Sequence, residues 1–344
     1  MSDTLGMATQ LAGNVVRFGW YSGVNWLLAR EARRLGNRPR YNPTRPVPSD
    51  AELMADLRTL FMRDAAAVRE GLYPPVEPVG TIAQHMLQLR AMFADLPETI
   101  RRREADDAQS AATLPGADDL PDYYAQDFHF QTGGYLSEES AQLYDVQVET
   151  LFYGAASAMR RAALKPIAEF MRGRDQRATA LSDIACGTGR LLREVRIAYP
   201  ALRVKGLDLS QAYLDEARRH IGDLRPVELI HGNAEQIPLA DGSQDIITSI
   251  FLYHELPGDV RRRVTGEIAR VLKPDGLFVF LDSLQMGDRP GWDGLLEAFP
   301  IRFHEPYFGH YATDDLDAMF TSAGLAPQET SNAFLSKVMA RRKR

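Results

Sequence analysis

Asp183-Ile184-Ala185-Cys186-Gly187-Thr188-Gly189-Arg190 is the stretch whose reading decides the fold. It ends an apolar run, residues 181–185, and opens an amphipathic pattern over 190–198, so it reads as strand, tight turn and helix. Gly187 and Gly189 can adopt backbone conformations closed to other residues and let a ligand come close to the chain. In a doubly wound sheet this first turn is the place for an adenosine-containing ligand. The glycines alone suit a ligand-free turn equally well.

Further short apolar runs lie at 202–207, 227–230, 245–250 and 277–281, separated by helical patterns at 211–220, with Ser210 as N-cap, and 259–272. That alternation predicts a parallel α/β sheet. Near the C-terminal end Thr313 is expected to cap a helix reaching about Ala323, Gly324 to stop it, and 328–339 to form two last strands.

Asp208 falls nineteen residues after Gly189, at the end of the second strand pattern, where a carboxylate can accept hydrogen bonds from both ribose hydroxyls. A dinucleotide is disfavoured, because Leu192 occupies the position of the third glycine in G-x-G-x-x-G. Asp183 beside the turn would repel a diphosphate and attract an ammonium or sulfonium. S-adenosylmethionine carries both cations.

With these residues in place the chain resembles the class I S-adenosylmethionine-dependent methyltransferases, in the branch of quinone-biosynthesis and other small-molecule enzymes, over roughly residues 125–341. Residues 183–190 look like the family's first motif and Gly206-Leu207-Asp208-Leu209-Ser210 like its ribose-binding motif. Gly232-Asn233-Ala234-Glu235 resembles the adenine-side loop. The resemblance implies a doubly wound, seven-stranded, mostly parallel sheet. It also implies a cofactor site made of Asp183, Ala185, Cys186, Gly187, Thr188, Gly189, Arg190, Asp208, Leu209, Asn233, Ala234, Glu235 and Phe251. Ala185 replaces the usual first glycine and suggests a slightly wider turn. Asn233 replaces the usual acid, and its side-chain oxygen can still accept from the adenine amine.

Methyl transfer is an in-line displacement whose main demand is alignment of nucleophile, methyl and sulfur in a partly dehydrated pocket. Where the acceptor must lose a proton, histidine is the usual base near neutral pH. His254 in Tyr253-His254-Glu255 is the candidate, with Glu255 orienting it or acting beside it; the competing reading has His254 capping the turn or packed beneath the loop. His129, a further catalytic candidate, precedes a helical segment, 137–171, that in this family often folds over the cofactor as a lid. Tyr144, Tyr153 and Arg160 on it could reach the site, with Tyr153 expected in the core. Tyr144, Tyr253, His254, His304 and Tyr307 are the candidate acceptor contacts, the last two from an aromatic insert that hints at an apolar or aromatic acceptor.

Four regions follow from composition: a helical N-terminal region (1–103), an acidic linker (104–122) read as solvated and irregular, a lid with leading helices (123–177), and the cofactor domain (178–344). The 344 residues carry 40 basic and 46 acidic side chains, so the whole chain repels phosphate backbones and a nucleic-acid partner is not expected. A lone cysteine, Cys186, excludes a disulfide framework, and a reducing cytoplasm is the expectation. No metal is expected, because the histidines are dispersed and form no H-x-x-x-H or H-E-x-x-H pattern.

Residues 1–45 hold Arg17, Arg30, Arg33, Arg34, Arg38, Arg40 and Arg45 against only Asp3 and Glu31. With Trp20, Tyr21 and Trp26, residues 11–45 could lie on anionic lipid, which would suit a lipid-like acceptor. Alternatively the aromatics pack on the cofactor domain or a second subunit and the arginines stay solvated. The sequence leaves acceptor atom and oligomeric state open. The alternative function is a non-catalytic S-adenosylmethionine-binding regulatory or interaction protein, and a nicotinamide oxidoreductase ranks third.

Overall fold

The apolar runs form seven strands: β1 (Ala180–Ile184), β2 (Arg203–Asp208), β3 (Glu228–His231), β4 (Gln244–Ile250), β5 (Leu272–Ser283), β6 (Leu325–Ala333) and β7 (Ser336–Lys343). They make one sheet in the order β3-β2-β1-β4-β5-β7-β6. All pairings are parallel except those of β7, which is antiparallel to both β5 and β6. All five residues of β1 are buried, as expected of a central strand covered by helices on both faces. Because β2 and β4 leave β1 on opposite sides, the sheet reverses direction there and opens a crevice at the strands' carboxyl ends. The computed structural model describes residues 3–37, 41–76, 81–114 and 116–344; Arg38 and Arg40 of the N-terminal basic stretch and residue 115 of the acidic linker lie outside them.

Three helices come first, α1 (Thr4–Arg34), α2 (Asp50–Arg69) and α3 (Ile82–Ala105). Gly13, Gly19 and Gly23 do not break α1, although each costs about 1 kcal/mol of helix propensity. Tertiary contacts outweigh that cost. The buried Asp64 carboxylate of α2 accepts from Gln10 and Asn14 of α1 at 2.7 Å each, from the Tyr73 hydroxyl at 2.7 Å, and from Arg161 at 2.7 and 2.8 Å. Leu57, Leu60 and Phe61 of α2 join the same apolar core as the sheet.

The segment 137–171 is three helices rather than one: α4 (Glu138–Leu151), capped by Ser137, α5 (Ala156–Arg161) and α6 (Leu164–Met171). Gly154 ends the first with φ +78, and a Cβ there would meet the Arg17 carbonyl at 2.8 Å, so the break is where α1 docks. The stretch read as a solvated connection contains short 3-10 turns at Ala111–Thr113 and Ala117–Asp119. Ala108, Ala111 and Ala117 in it are buried, because the buried Asp127 carboxylate accepts from the backbone of Ser110 and Ala111.

The crossover helices are α7 (Arg190–Ala198), α8 (Gln211–Ile221) and α9 (Gly258–Val271). After β5 come α10 (Asp293–Phe303), α11 (Phe308–Tyr311) and α12 (Leu316–Ser322). Thr313 does not cap the last helix: Asp315 does, its carboxylate accepting from the Ala318 N–H at 2.9 Å. Gly324 stops it with φ +82, as expected.

Candidate functional site

At the crevice, Ala185, Gly187 and Gly189 all take positive φ, +59°, +53° and +73°. Ala185 thus holds the left-handed geometry that the motif usually gives to glycine. A Cβ on Gly187 would point into open space, whereas one on Gly189 would meet the Ala217 Cβ at 2.8 Å, so the second glycine serves the packing of α8. Close approach of α7 to β2, which a third glycine would have provided, comes from Gly206. A Cβ there would strike Leu192 at 2.6 Å and the Cys186 sulfur at 2.8 Å.

Asp208 closes β2, and its carboxylate accepts from the Gly187 N–H at 2.8 Å and the Ser210 N–H at 2.9 Å. Burial raises its pKa against these hydrogen bonds. Asp183, 2 % exposed, is pushed by burial to about 7, opposed by the Thr248 hydroxyl at 2.6 Å. The niche beside them is lined by Ala185, Gly187, Asp208, Leu209, Asn233, Ala234 and Phe251 from the expected cofactor set, and roofed by Tyr123, Tyr124, Tyr135 and Tyr144.

The rest of that set sits around the niche rather than in its wall. Cys186 turns its buried sulfur over Gly206 and contributes backbone, its N–H donating to the Leu207 carbonyl at 2.9 Å. Thr188 donates to Asp145 of α4 at 3.0 Å, and Arg190 forms an ion pair with the same carboxylate at 2.9 Å, so both tie the lid helix to the turn. Glu235 accepts from the Tyr123 hydroxyl at 2.6 Å and pairs with Arg263 at 2.7 Å. Asn233 caps its own turn, its side-chain oxygen accepting from the Glu235 N–H at 2.8 Å.

Next to the niche, and sharing Tyr144, Phe251 and Glu255 with it, lies a cavity of about 600 Å³. Its wall is largely apolar, with Phe18 of α1, Leu53 of α2, Phe152, Phe299, Phe303 and Phe334. His129, His254 and Glu255 form a polar end. Tyr153, expected in the core, instead is 45 % exposed at φ +52 and borders this chamber. Arg160 is taken by Glu149 at 3.2 Å.

His254 does not have the partner expected of it. Asp282 of β5, not Glu255, holds its Nδ1 at 2.5 Å, while Glu255 lies 3.7 Å from Nε2. Burial works against the ring's charge, but the Asp282 carboxylate outweighs it and raises the pKa to about 10. That shift favours the protonated ring, which suits charge stabilisation more than proton removal. Glu255 is raised to about 7 by burial and accepts from the Tyr135 hydroxyl at 2.6 Å. Burial lowers His129 to about 3, so it is neutral.

Three expected acceptor contacts lie outside the walls of niche and chamber. Tyr253 is fully buried, its hydroxyl 3.0 Å from that of Thr265 and its ring against Phe280, so it is core. His304 faces Gln126 at 3.1 Å and packs on Phe130, and Tyr307 packs against the cluster of Phe128, Tyr135 and Tyr213. Sequence reasoning missed Asp282, Glu305, Tyr123, Tyr124 and Tyr135. The aromatic run from Tyr123 was a usable signal for the tyrosines; nothing local marked the two acids.

A methyltransferase-domain family matches residues 182–276. A demethylmenaquinone methyltransferase of Listeria welshimeri is 36 % identical over 142 residues, covering 40 % of this chain and 58 % of the relative. The chain thus spans a little under three-fifths of the length of such relatives. A ubiquinone/menaquinone biosynthesis C-methyltransferase of Methylobacterium nodulans is 31 % identical, covering 52 % of this chain and 69 % of its own length. A demethylmenaquinone methyltransferase of Thermotoga maritima is 30 % identical, with 53 % and 75 % covered. The order of the sheet, the glycine turn and the carboxylate at the end of β2 coincide with this likeness, and the chain belongs to the class I S-adenosylmethionine-dependent methyltransferase family, in its quinone-biosynthesis branch.

Proposed function

We propose that the protein transfers a methyl group from S-adenosylmethionine to a large apolar acceptor, a quinol-like ring bearing a lipid-like tail. The observation that carries this reading is the apolar chamber of about 600 Å³ opening, at its polar end, onto the nucleoside niche through Tyr144, Phe251 and Glu255. When bound, the cofactor supplies an electrophilic methyl on a sulfonium.

The residues present suit that cofactor. Asp183 and Asp208 are buried and form no ion pair among the described residues, so a ligand cation would relieve them where a diphosphate would add repulsion. Asp208 would accept from the ribose, Gly187 leaves room for close approach, and Asn233 and Ala234 would border the base. Glu255, at the seam, would take the acceptor's proton, and His254, fixed by Asp282, would stabilise the negative charge left on an acceptor oxygen. The tyrosine roof and the phenylalanine wall exclude water from the reacting centre.

Titration calorimetry with S-adenosylmethionine and S-adenosylhomocysteine, followed by transfer of labelled methyl to short-tailed and long-tailed quinols, tests the proposal. Binding of the cofactor with preference for the longer tail is expected. Absence of binding in a folded sample would end the reading and favour a non-catalytic role.

No helix among the described residues is long and apolar enough to cross a membrane. We also propose peripheral contact with anionic lipid through α1, supported by exposed Val16 and Trp26 beside Arg30, whose guanidinium lies 5.8 Å over the Trp26 ring. Co-sedimentation with phosphatidylglycerol vesicles, lost in Trp26→Ala, is the expected result; equal sedimentation of both proteins would refute it.

A further inference from the structure

His129, from the turn ahead of α4, Glu255, from the 3-10 turn after β4, and Glu305, between α10 and α11, are far apart in sequence. The fold brings one ligand atom of each within 4.8 Å of the others. Glu305 is 1 % exposed, and neither of its carboxylate oxygens takes part in a hydrogen bond among the described residues. The His129 Nε2 approaches Glu305 Oε1 to 3.0 Å without hydrogen-bond alignment. His129 and Glu255 also border the apolar chamber, so the group has one open side.

Burying a carboxylate without donors is costly, and a cation in contact is one of the few ways to offset it. The neighbouring His254 acts on Glu305 only from a distance, with no hydrogen bond to it, and shares its charge with Asp282 at 2.5 Å. Two donors bound to one ion at about 2.1 Å stand roughly 3–4 Å apart, and His129 Nε2 and Glu305 Oε1 already lie 3.0 Å apart. One imidazole and two carboxylates, with no thiolate, match borderline-to-hard divalent cations. The Tyr135 hydroxyl, donating to Glu255 Oε1 at 2.6 Å, fixes a ligand from behind as outer-shell partners of metals do.

We propose that His129, Glu255 and Glu305 form a binding site for a divalent transition-metal cation, Mn²⁺ or Zn²⁺, at the seam between niche and chamber. Three protein ligands leave coordination positions facing the chamber, where an oxygen of the acceptor completes the shell. With the ion bound, Glu255 would hold it rather than act as the base, and the ion would lower the pKa of the bound hydroxyl so that its proton passes to water. Only this last consequence rests on the proposed methyl transfer; binding of the ion does not.

The full chain, stripped with a chelator, is titrated calorimetrically with MnCl₂ and with ZnCl₂, and separately with S-adenosylmethionine. One ion per chain is expected, with affinity at least about tenfold lower in Glu305→Gln, a near-isosteric change whose fold is checked by circular dichroism. Wild-type crystals soaked in MnCl₂ should show an anomalous peak among the three side chains, an observation independent of how any variant folds. No ion bound by a folded wild-type protein, or binding that Glu305→Gln leaves unchanged, overturns the site. Loss of S-adenosylmethionine binding with the ion still bound would instead remove the methyltransferase reading and leave the metal site standing.

Discussion

The nucleoside niche takes much of its wall from three short stretches, residues 185–187, 207–209 and 232–234, each at the carboxyl end of a neighbouring strand. The apolar chamber beside it takes Phe18 and Leu53 from the first helices, Phe299 and Phe303 from α10 and Phe334 from the last hairpin. In the niche the backbone itself faces the ligand, and geometry restricts which residue types fit. In the chamber, side chains from distant segments meet, and any apolar group of suitable volume would serve. The first kind of site depends on the sheet. The second depends on the leading helices staying docked against it.

Removing the anchor of those helices is the severest way to test this division. Asp64→Ala leaves Arg161, 2 % exposed in its side chain, with the more distant Glu194 and the Asn14 side-chain oxygen, each at 3.3 Å, and strips Gln10, Asn14 and Tyr73 of their shared acceptor. A loss of about 3–5 kcal/mol in urea unfolding is expected, because one partner of a buried ion pair has been deleted. Selectivity for long-tailed acceptors should fall while the niche continues to bind cofactor in the fraction that remains folded. Equal loss at both sites would show that niche and chamber are one unit.

The same division explains what could be read from the sequence. The alternation of apolar runs and amphipathic helices located β1 to β4 to within one residue at each end, while β5 begins at Leu272, five residues before the run read for it; Asp183, Gly187 and Asp208 stood out because they sit at the carboxyl ends of adjacent strands. The contacts that Thr188 and Arg190 make with Asp145 could not be seen in the motif, because Asp145 lies on a helix some distance back in the chain. Asp282 follows an unbroken apolar strand and Glu305 lies in an aromatic loop, so neither showed its partner until β5 and the α10–α11 turn were set beside His254 and His129. The dispersed histidines argued against a metal for the same reason, since spacing along a chain does not measure convergence in space.

Within the niche, Asp208→Ala should weaken S-adenosylmethionine binding by about 1.5–3 kcal/mol, or about 10- to 150-fold, by removing a carboxylate that hydrogen-bonds the ligand. Unchanged affinity in calorimetry would move the ribose elsewhere. A smaller, pH-dependent effect belongs to Asp183, which faces Thr248 of β4 and Asp208 of β2 and ionises near 7. A cationic ligand favours the carboxylate form, so affinity should be highest above pH 7 and fall about tenfold between pH 8 and pH 6. In the ligand-free protein the sign is reversed: the raised pKa makes this group's contribution to stability decline as pH rises from the usual carboxylate range to about 7. Asp183→Asn should flatten both profiles; a surviving slope would assign the titration to another group.

The mildest test concerns the one position where the turn departs from glycine. Ala185 sits at φ +59, a conformation that costs an L-residue roughly 1–2 kcal/mol, in a turn where Gly187 and Gly189 also take positive φ. Ala185→Gly relieves the strain but gives the unfolded chain more freedom, which returns roughly 0.4–1 kcal/mol. A net gain of about 0.5–1 kcal/mol in urea unfolding is expected, with cofactor affinity changed by less than about threefold, since a backbone held by its surroundings keeps its shape when the side chain is shortened. A loss of stability would mean that the Ala185 methyl packs favourably enough in the niche to outweigh its strained backbone, and the turn would then depend on side-chain contacts in the way the chamber does.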